Sequence, residues 1–374
     1  MLSAGGTGVA TYARSVRAAQ MEVAEGPLLV SGRDVDGDDT GIRLPRLARA
    51  LRPGVRRAQR AAERIVSPDI FRVAQVYFNI HRDLLTVRVP GPPGLVHWIY
   101  PVPIRLEGWA NIYTVHDAIP LAFPALSPIN AGRHRLLLGA VARHAARIIT
   151  VSEAARDEIL EHARFDPSLV VNLSQPVDVS ARDPEAAVDG LPPRGYLLAC
   201  GSVEPRKNIL RVLAAYQIAS SRLPLVVAGP PGWMSESIER VIAETPGVVR
   251  IPQASRDEVL NLIADARALI MPSLAEGFGL PVAEAMALGT PVLTSSRGAL
   301  AETAGDAALL VDPTSETAIA TAIDHLTYDD MSCEALRRAG LMRAATRFGF
   351  HDFASRLAML YEEVLRSAFR VDCT

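Results

Sequence analysis

Short apolar runs recur along the chain, and amphipathic stretches separate them. Ile112 to Val115, the run ending near Val151, Tyr196 to Cys200 and Ala268 to Met271 are short enough for strands buried in a sheet. Ile209 to Ser220 and His351 to Phe369 carry their apolar residues at helical spacing instead. Strands that alternate with helices imply parallel sheets, because each parallel pair needs a crossover between its members. The predicted fold class is therefore α/β, built from doubly wound parallel sheets. At 374 residues the chain is long for one domain and comfortable for two. Pro, Asp and Gly concentrate over residues 176–195, which marks the connection between the two.

The chemically informative residues lie where the apolar runs end. Residues 273–293 read SLAEGFGLPVAEAMALGTPVL and follow the Ala268 to Met271 run. Pro281 suits the first turn of a helix, and Gly289 followed by Pro291 suits its end. The local order is then strand, glycine-rich turn, short helix, strand. Glu276 falls just past the strand, and Glu284 about one turn into the helix. The backbone N–H groups of Gly277, Phe278, Gly279 and Leu280 would face a cleft at the positive end of that helix, a place suited to phosphate. Two carboxylates flanking such amides could address the hydroxyls of a nucleotide sugar. The plainer alternative is a βαβ unit with solvated acids.

A second motif, GSVEPRKNIL, directly follows Tyr196 to Cys200 and contains Lys207, the only lysine of the chain. Where composition favours Arg so strongly, a retained Lys points to a need for a compact ammonium rather than a planar fork. Arg206 and Lys207 would sit at a strand-to-helix turn and neutralise a diphosphate; otherwise they are a surface pair. Asn208 reads as an N-cap for the following helix. The chain opens with AGGTGVATYARS, residues 4–15, in which Gly5, Gly6 and Gly8 would let backbone approach a ligand closely. Alone, such a start equally suits a flexible terminus. IYTVHDAIPLAFP places His116 at the end of a strand, and ARIITVSEAARDEIL makes Ser152 an N-cap.

In this order the segments resemble the retaining GT-B glycosyltransferases of family 4. The resemblance implies two Rossmann-like domains facing a central cleft. Residues 1–187 would form the acceptor-side domain and 188–349 the nucleotide-sugar-binding domain. Residues 350–374 would form a helix crossing back to the first. It implies catalytic roles for His116, Arg206, Lys207 and Glu276. The Arg–Lys pair contacts the donor pyrophosphate, the first Glu lies beside the donor sugar, and the His reaches that sugar across the cleft. It implies donor-binding roles for Gly5, Gly6, Gly8, Gly277, Phe278, Gly279, Leu280 and Glu284, the last holding the ribose. The resemblance also implies transfer without metal or cofactor. General likeness to mannosyltransferases of bacterial surface polysaccharides favours GDP-mannose as donor. The acceptor would be a growing polysaccharide of the lipopolysaccharide or capsule type, or a lipid-linked glycan.

Two departures accompany the likeness. The family places a hydrophobic strand before the glycine loop, where this chain has only Met1, Leu2 and Ser3, so a start further upstream is expected. NLSQPVD stands where an Asn-Gly usually precedes Val-Asp. A GT-B nucleotide-sugar epimerase and a non-catalytic sugar-nucleotide-binding scaffold remain open as other readings.

The formal net charge of −2 gives no global support for a nucleic-acid partner. Charge is nevertheless uneven: Arg43, Arg46, Arg49, Arg52, Arg56, Arg57, Arg60 and Arg64 stand against Glu63 alone. With Leu44, Leu47, Leu51 and Val55 interleaved, this stretch suits an anionic membrane surface, or else a solvated helical face; Pro45 and Pro53 would break it into pieces. No apolar run approaches the ~20 residues a spanning helix needs, and no signal peptide is visible. The three cysteines are spaced for neither metal nor disulfides. A cytoplasmic protein is expected, at most peripheral on the inner face of the plasma membrane.

Overall fold

The computed structural model describes residues 8–23, 28–32, 50–52, 54–61, 64–180, 182, 183, 185, 186, 188 and 190–369. In the second half of the chain, six parallel strands form one sheet. Their order is Val248–Ile251, Leu225–Ala228, Leu197–Cys200, Ala268–Met271, Val292–Ser295, Leu309–Val311. Every residue of the two central strands is buried, which is why they read as unbroken apolar runs rather than alternating ones. The chain enters at Leu197–Cys200, adds two strands on one side, then returns and adds three on the other. The order reverses between Leu197–Cys200 and Ala268–Met271. Connections leave in opposite directions there, the point at which sheets of this kind form a crevice at the carboxyl ends of their strands.

The first half is built on a four-stranded parallel sheet ordered Val170–Asn172, Ala145–Thr150, Ala110–Thr114, Leu95–Trp98. Two separate three-stranded sheets accompany it. Arg56–Arg57, Leu85–Arg88 and Ile104–Leu106 pair in parallel. Arg64–Val66 takes Leu29–Ser31 in parallel and Gln59–Ala61 antiparallel.

The last helix, Phe350–Ala368, packs along the Gly8–Val23 helix and against the strands Leu95–Trp98, Ala110–Thr114 and Ala145–Thr150. Phe353, Leu357, Leu360 and Val364, at helical spacing, form its buried stripe. Each such side chain contributes roughly 2 kcal/mol on removal from water. Its polar anchor is Tyr361, whose hydroxyl accepts a 3.0 Å bond from Gln20 and lies 2.7 Å from His97 Nδ1. The apolar core is continuous from Tyr12 and Val16 through Phe353 and Leu357 to Leu198 and Met271, so the halves share one interior along this seam. Met1 to Ser3, Gly5 and Gly6 lie outside the described residues, and so does the expectation of a strand feeding the glycine loop; Gly8 opens the Gly8–Val23 helix.

Candidate functional site

The site forms where the order of the six-stranded sheet reverses. After Leu197–Cys200 the chain makes a single 3-10 turn, Pro205–Lys207, and then the helix Ile209–Ile218. After Ala268–Met271 it makes the Gly277–Gly279 turn and the helix Leu280–Leu288. The two turns touch. Leu274 N–H donates to Arg206 O at 2.9 Å, and the Arg206 guanidinium donates to Ala275 O at 3.1 Å.

Glu276 is the centre of a charged cluster. One oxygen accepts from Lys207 Nζ at 2.6 Å, and the other is paired with Arg206. Arg206 uses its second terminal nitrogen on Glu204 at 2.5 Å. The Glu276 side chain is 9 % exposed and that of Lys207 11 %, so both charges are held largely out of water. Burial disfavours the Glu276 carboxylate, yet Lys207 and Arg206 outweigh it and hold its pKa at about 2. Burial also opposes the Arg206 charge, and Glu276 and Glu204 outweigh it, pushing its pKa up. A cluster so paired is fixed in place before any ligand arrives.

Asn208 differs from the expected N-cap. It holds the position before the helix, but with φ 62° its side chain makes no capping bond. Its amide instead donates to Pro272 O at 2.9 Å and Pro313 O at 2.7 Å, tying this turn to the loops that follow the strands Ala268–Met271 and Leu309–Val311. The gain is two buried carbonyls satisfied at once, against one capped amide.

Glu284 lies in the first turns of the Leu280–Leu288 helix, as the spacing implies, and is 1 % exposed. It is paired with Arg256, the first residue of the helix Arg256–Asp265. Burial pushes the Glu284 pKa up, and Arg256 opposes the rise. Gly279 precedes the helix with φ 93°, and a Cβ there would collide with Leu300, so only glycine suits. Among the described residues nothing accepts from the N–H groups of Phe278, Gly279 or Leu280. Phe278 turns its ring into the core, edge-on to Phe348.

The first half approaches this turn directly. A Cβ on Gly277 would lie 2.5 Å from the carbonyl oxygen of His116, so the two backbones are in contact. Ser152 caps the helix Glu153–Ala163 by accepting from Ala155 N–H at 3.0 Å, and its hydroxyl donates to Gly277 O at 2.7 Å. Glu302, on the helix Gly298–Ala304, accepts from the N–H groups of Glu153 at 2.8 Å and Ala154 at 2.7 Å. A carboxylate from one half thus caps a helix of the other. His116 Nε2 lies 2.9 Å from Ile99 O, and its ring meets Tyr12 edge-on at 5.0 Å. Burial lowers its pKa, against opposing help from Ile99 O and Asp117, so the ring is biased toward neutrality. Behind it His97 bridges Thr114 at 2.8 Å and Tyr361 at 2.7 Å. Burial holds its pKa at about 3.

The structure therefore gathers Arg206, Lys207 and Glu276 into mutual contact, places the residue 277–280 turn beside them and sets the His116 backbone against Gly277. Glu284 stands apart from that triad, on Arg256. Glu204, Arg256 and Glu302 take part without being legible as site residues. Glu204 could have been found by its adjacency to the Arg–Lys pair. The partners of Arg256 and Glu302 are distant in sequence, and nothing local signals them.

An all-parallel sheet in this order, with cations and helix amides at its reversal, defines a Rossmann-like half, and joined to a second half built on a parallel sheet it defines the GT-B architecture. Residues 187–342 match the family described as glycosyl transferases group 1. The O-antigen chain mannosyltransferase B of Escherichia coli is 33 % identical over 258 residues, covering 65 % of this chain and 67 % of that protein. The serotype-specific mannosyltransferase WbdA of Escherichia coli is 27 % identical over 328 residues, and the alignment spans only 38 % of its length. Among solved structures, the sucrose-phosphate synthase of Thermosynechococcus elongatus superposes with a TM-score of 0.68 at 18 % identity, over 97 % of this chain and 94 % of that one. HepE of Anabaena in complex with UDP-glucose gives 0.59 at 15 % identity, over 79 % and 82 %. The chain belongs to the group 1 glycosyltransferase family.

Proposed function

We propose that the protein transfers a hexose, with mannose favoured, from a nucleoside diphosphate to a hydroxyl of a growing surface polysaccharide or lipid-linked glycan, with retention of configuration. The observation that carries this reading is the Arg206–Lys207–Glu276 cluster set against the residue 277–280 turn where the sheet order reverses. In the reaction the bond between the sugar's anomeric carbon and the phosphate oxygen breaks. A new bond to the acceptor oxygen forms on the same face, and the acceptor's proton passes to the departing diphosphate. Negative charge grows on that diphosphate. Arg206, Lys207 and the amides of residues 277–280 would stabilise it, each contact worth on the order of 3 kcal/mol. Glu276 would orient donor hydroxyls, Glu284 would hold the ribose, and His116 would reach the sugar from the first half. Gly8, and Gly5 and Gly6 outside the described residues, would line the donor's other side.

The mannosyltransferases among the sequence relatives favour mannose, and the UDP-glucose bound to the structural neighbour HepE favours a nucleoside-diphosphate donor. GDP-mannose is the donor we favour. Residues 1–187 would bind the acceptor and 188–349 the donor, with 350–374 crossing back. Among the described residues no helix is long and apolar enough to cross a membrane. Exposed Arg52, Arg57, Arg60 and Arg64, with Arg43, Arg46 and Arg49 outside the described residues, would rest on an anionic membrane surface. The epimerase and scaffold readings draw no support from the family found. The test is thermal unfolding with GDP-mannose, UDP-glucose and dTDP-glucose, each with and without excess EDTA. Protection by a nucleotide sugar, strongest for GDP-mannose and unaffected by EDTA, is the expected result. No protection by any of the three would overturn the donor site, and protection by UDP-glucose alone would overturn the choice of base and sugar.

A further inference from the structure

Glu284 is the most deeply buried carboxylate of the site, at 1 % exposure, and among the described residues its side chain is bonded to Arg256 alone. Arg256 keeps 28 % exposure, so the pair runs from the interior to the surface. The backbone that carries Arg256 is rigidly set. Ser255 Oγ accepts from Glu258 N–H at 3.2 Å, and the Glu258 carboxylate accepts from Ser255 N–H at 2.6 Å, a complete capping box. Arg256 is thus the first residue of a fixed helix, aimed across at the Leu280–Leu288 helix.

We propose that Arg256 is a positioning residue for the donor: its guanidinium keeps the buried Glu284 carboxylate ionised and fixes its orientation toward the nucleotide ribose. The inference rests on the reading of Glu284 as the ribose ligand and adds the device that makes such a ligand usable. A carboxylate removed from water stays charged only with a partner. Among the described residues no other cation is positioned to substitute. Lys207 is engaged by Glu276 at 2.6 Å, and Arg206 by Glu276 and Glu204. On the Asp330–Arg347 helix, which packs against Leu280–Leu288, Arg343 donates to Thr303 O at 2.7 Å and Glu302 O at 2.5 Å. Arg337 on that helix has its stem against Gly289. From the central strand the Cys200 thiol shares the electrostatic surroundings of Glu284 and Arg256, and burial pushes its pKa up to about 12, so it supplies no charge. Without Arg256 the proton would return to Glu284, and a neutral carboxyl accepts a hydroxyl hydrogen bond about half as strong as a carboxylate does.

The experiment is calorimetric titration of the full chain with GDP and GDP-mannose between pH 6 and pH 9, on wild type and on Arg256→Met, Arg256→Lys and Glu284→Gln. UDP and UDP-glucose replace these ligands if the wild type binds only the uridine nucleotides. Arg256→Met should weaken binding ~10-fold or more at pH 7, the loss expected for a charge-assisted hydrogen bond, and should regain affinity as pH rises. Arg256→Lys should stay within about 3-fold of wild type, because the charge is kept. In initial-rate measurements over a range of donor concentrations, Arg256→Met should move KM more than kcat. Arg256→Gln serves if Arg256→Met does not fold. Wild-type affinity in the neutral variant, or an equal loss at every pH, overturns the inference. If Glu284→Gln binds donor as wild type does, the ribose reading falls and the inference with it. If Glu284→Gln is impaired while Arg256→Met is not, the inference alone falls.

Discussion

Replacing Glu276 by Gln removes one negative charge from between two cations and changes little else in shape. Its side chain is 9 % exposed, and its carboxyl titrates at about 2 in place of 4.5. At ~1.4 kcal/mol per pH unit, that difference corresponds to about 3 kcal/mol favouring the charged form in the folded protein. Removing one member of a buried pair typically costs ~3–5 kcal/mol, so the two routes agree. The folded-state pKa is depressed, so this stability is fully present above pH 4.5 and is lost as pH falls toward 2. Glu276→Gln should therefore lower Tm at pH 7 by roughly 5 °C or more. The gap to wild type should hold down to about pH 4.5 and close below it. Donor turnover in the same variant should fall ~100-fold or more, because the amide neither balances Arg206 and Lys207 nor orients donor hydroxyls in the same way. Scanning calorimetry from pH 7 to pH 3, with initial rates at pH 7, measures both. A Tm difference that is absent, or constant across that range, would show that the cluster does not hold Glu276 ionised as described.

Other perturbations follow from the same geometry. Lys207→Arg should lose ~100-fold in turnover with Tm little changed, since the Lys207 stem passes Gly201 closely and a planar fork cannot take the ammonium's place; full activity would refute the reading of the lone lysine. Glu302→Gln should cost about 1 kcal/mol in urea unfolding and raise KM, because it weakens the cap joining the two halves; unchanged stability and kinetics would show that this contact is incidental. Burial, with Asp117 and Glu161, raises the Glu158 pKa to about 7, so its charge is disfavoured in the fold. Stability should therefore fall as pH rises from 4.5 to 7, and Glu158→Gln should raise Tm above pH 7 while being neutral below 4.5, which thermal scans at pH 4 and 8 would check.

Much of the second half was legible because its elements are punctuated locally. Ala268–Met271 is fully buried and therefore continuously apolar, Pro281 and Gly289 bound the helix, and Glu276 and Lys207 fall at fixed offsets from strand ends. Asn208 misled because its residue type fits a cap, whereas tertiary carbonyls at Pro272 and Pro313 compete for its amide. The pairing of Arg256 with Glu284, and of Glu302 with the Glu153–Ala163 helix, depends on how elements far apart in sequence are brought together, which no periodicity encodes. In the first half the strands of the two three-stranded sheets are two to four residues long, too brief for a hydrophobic period to register.

The most direct test of the proposed activity is the anomeric configuration of the product. GDP-α-mannose and a mannoside acceptor are incubated with the enzyme, and the new glycosidic linkage is assigned by one-bond carbon–proton couplings. An α-mannoside formed with stoichiometric release of GDP, and absent with Lys207→Ala, is the expected result. A β-linked product would contradict retention, and conversion of the donor to a different sugar nucleotide without transfer would contradict glycosyl transfer itself.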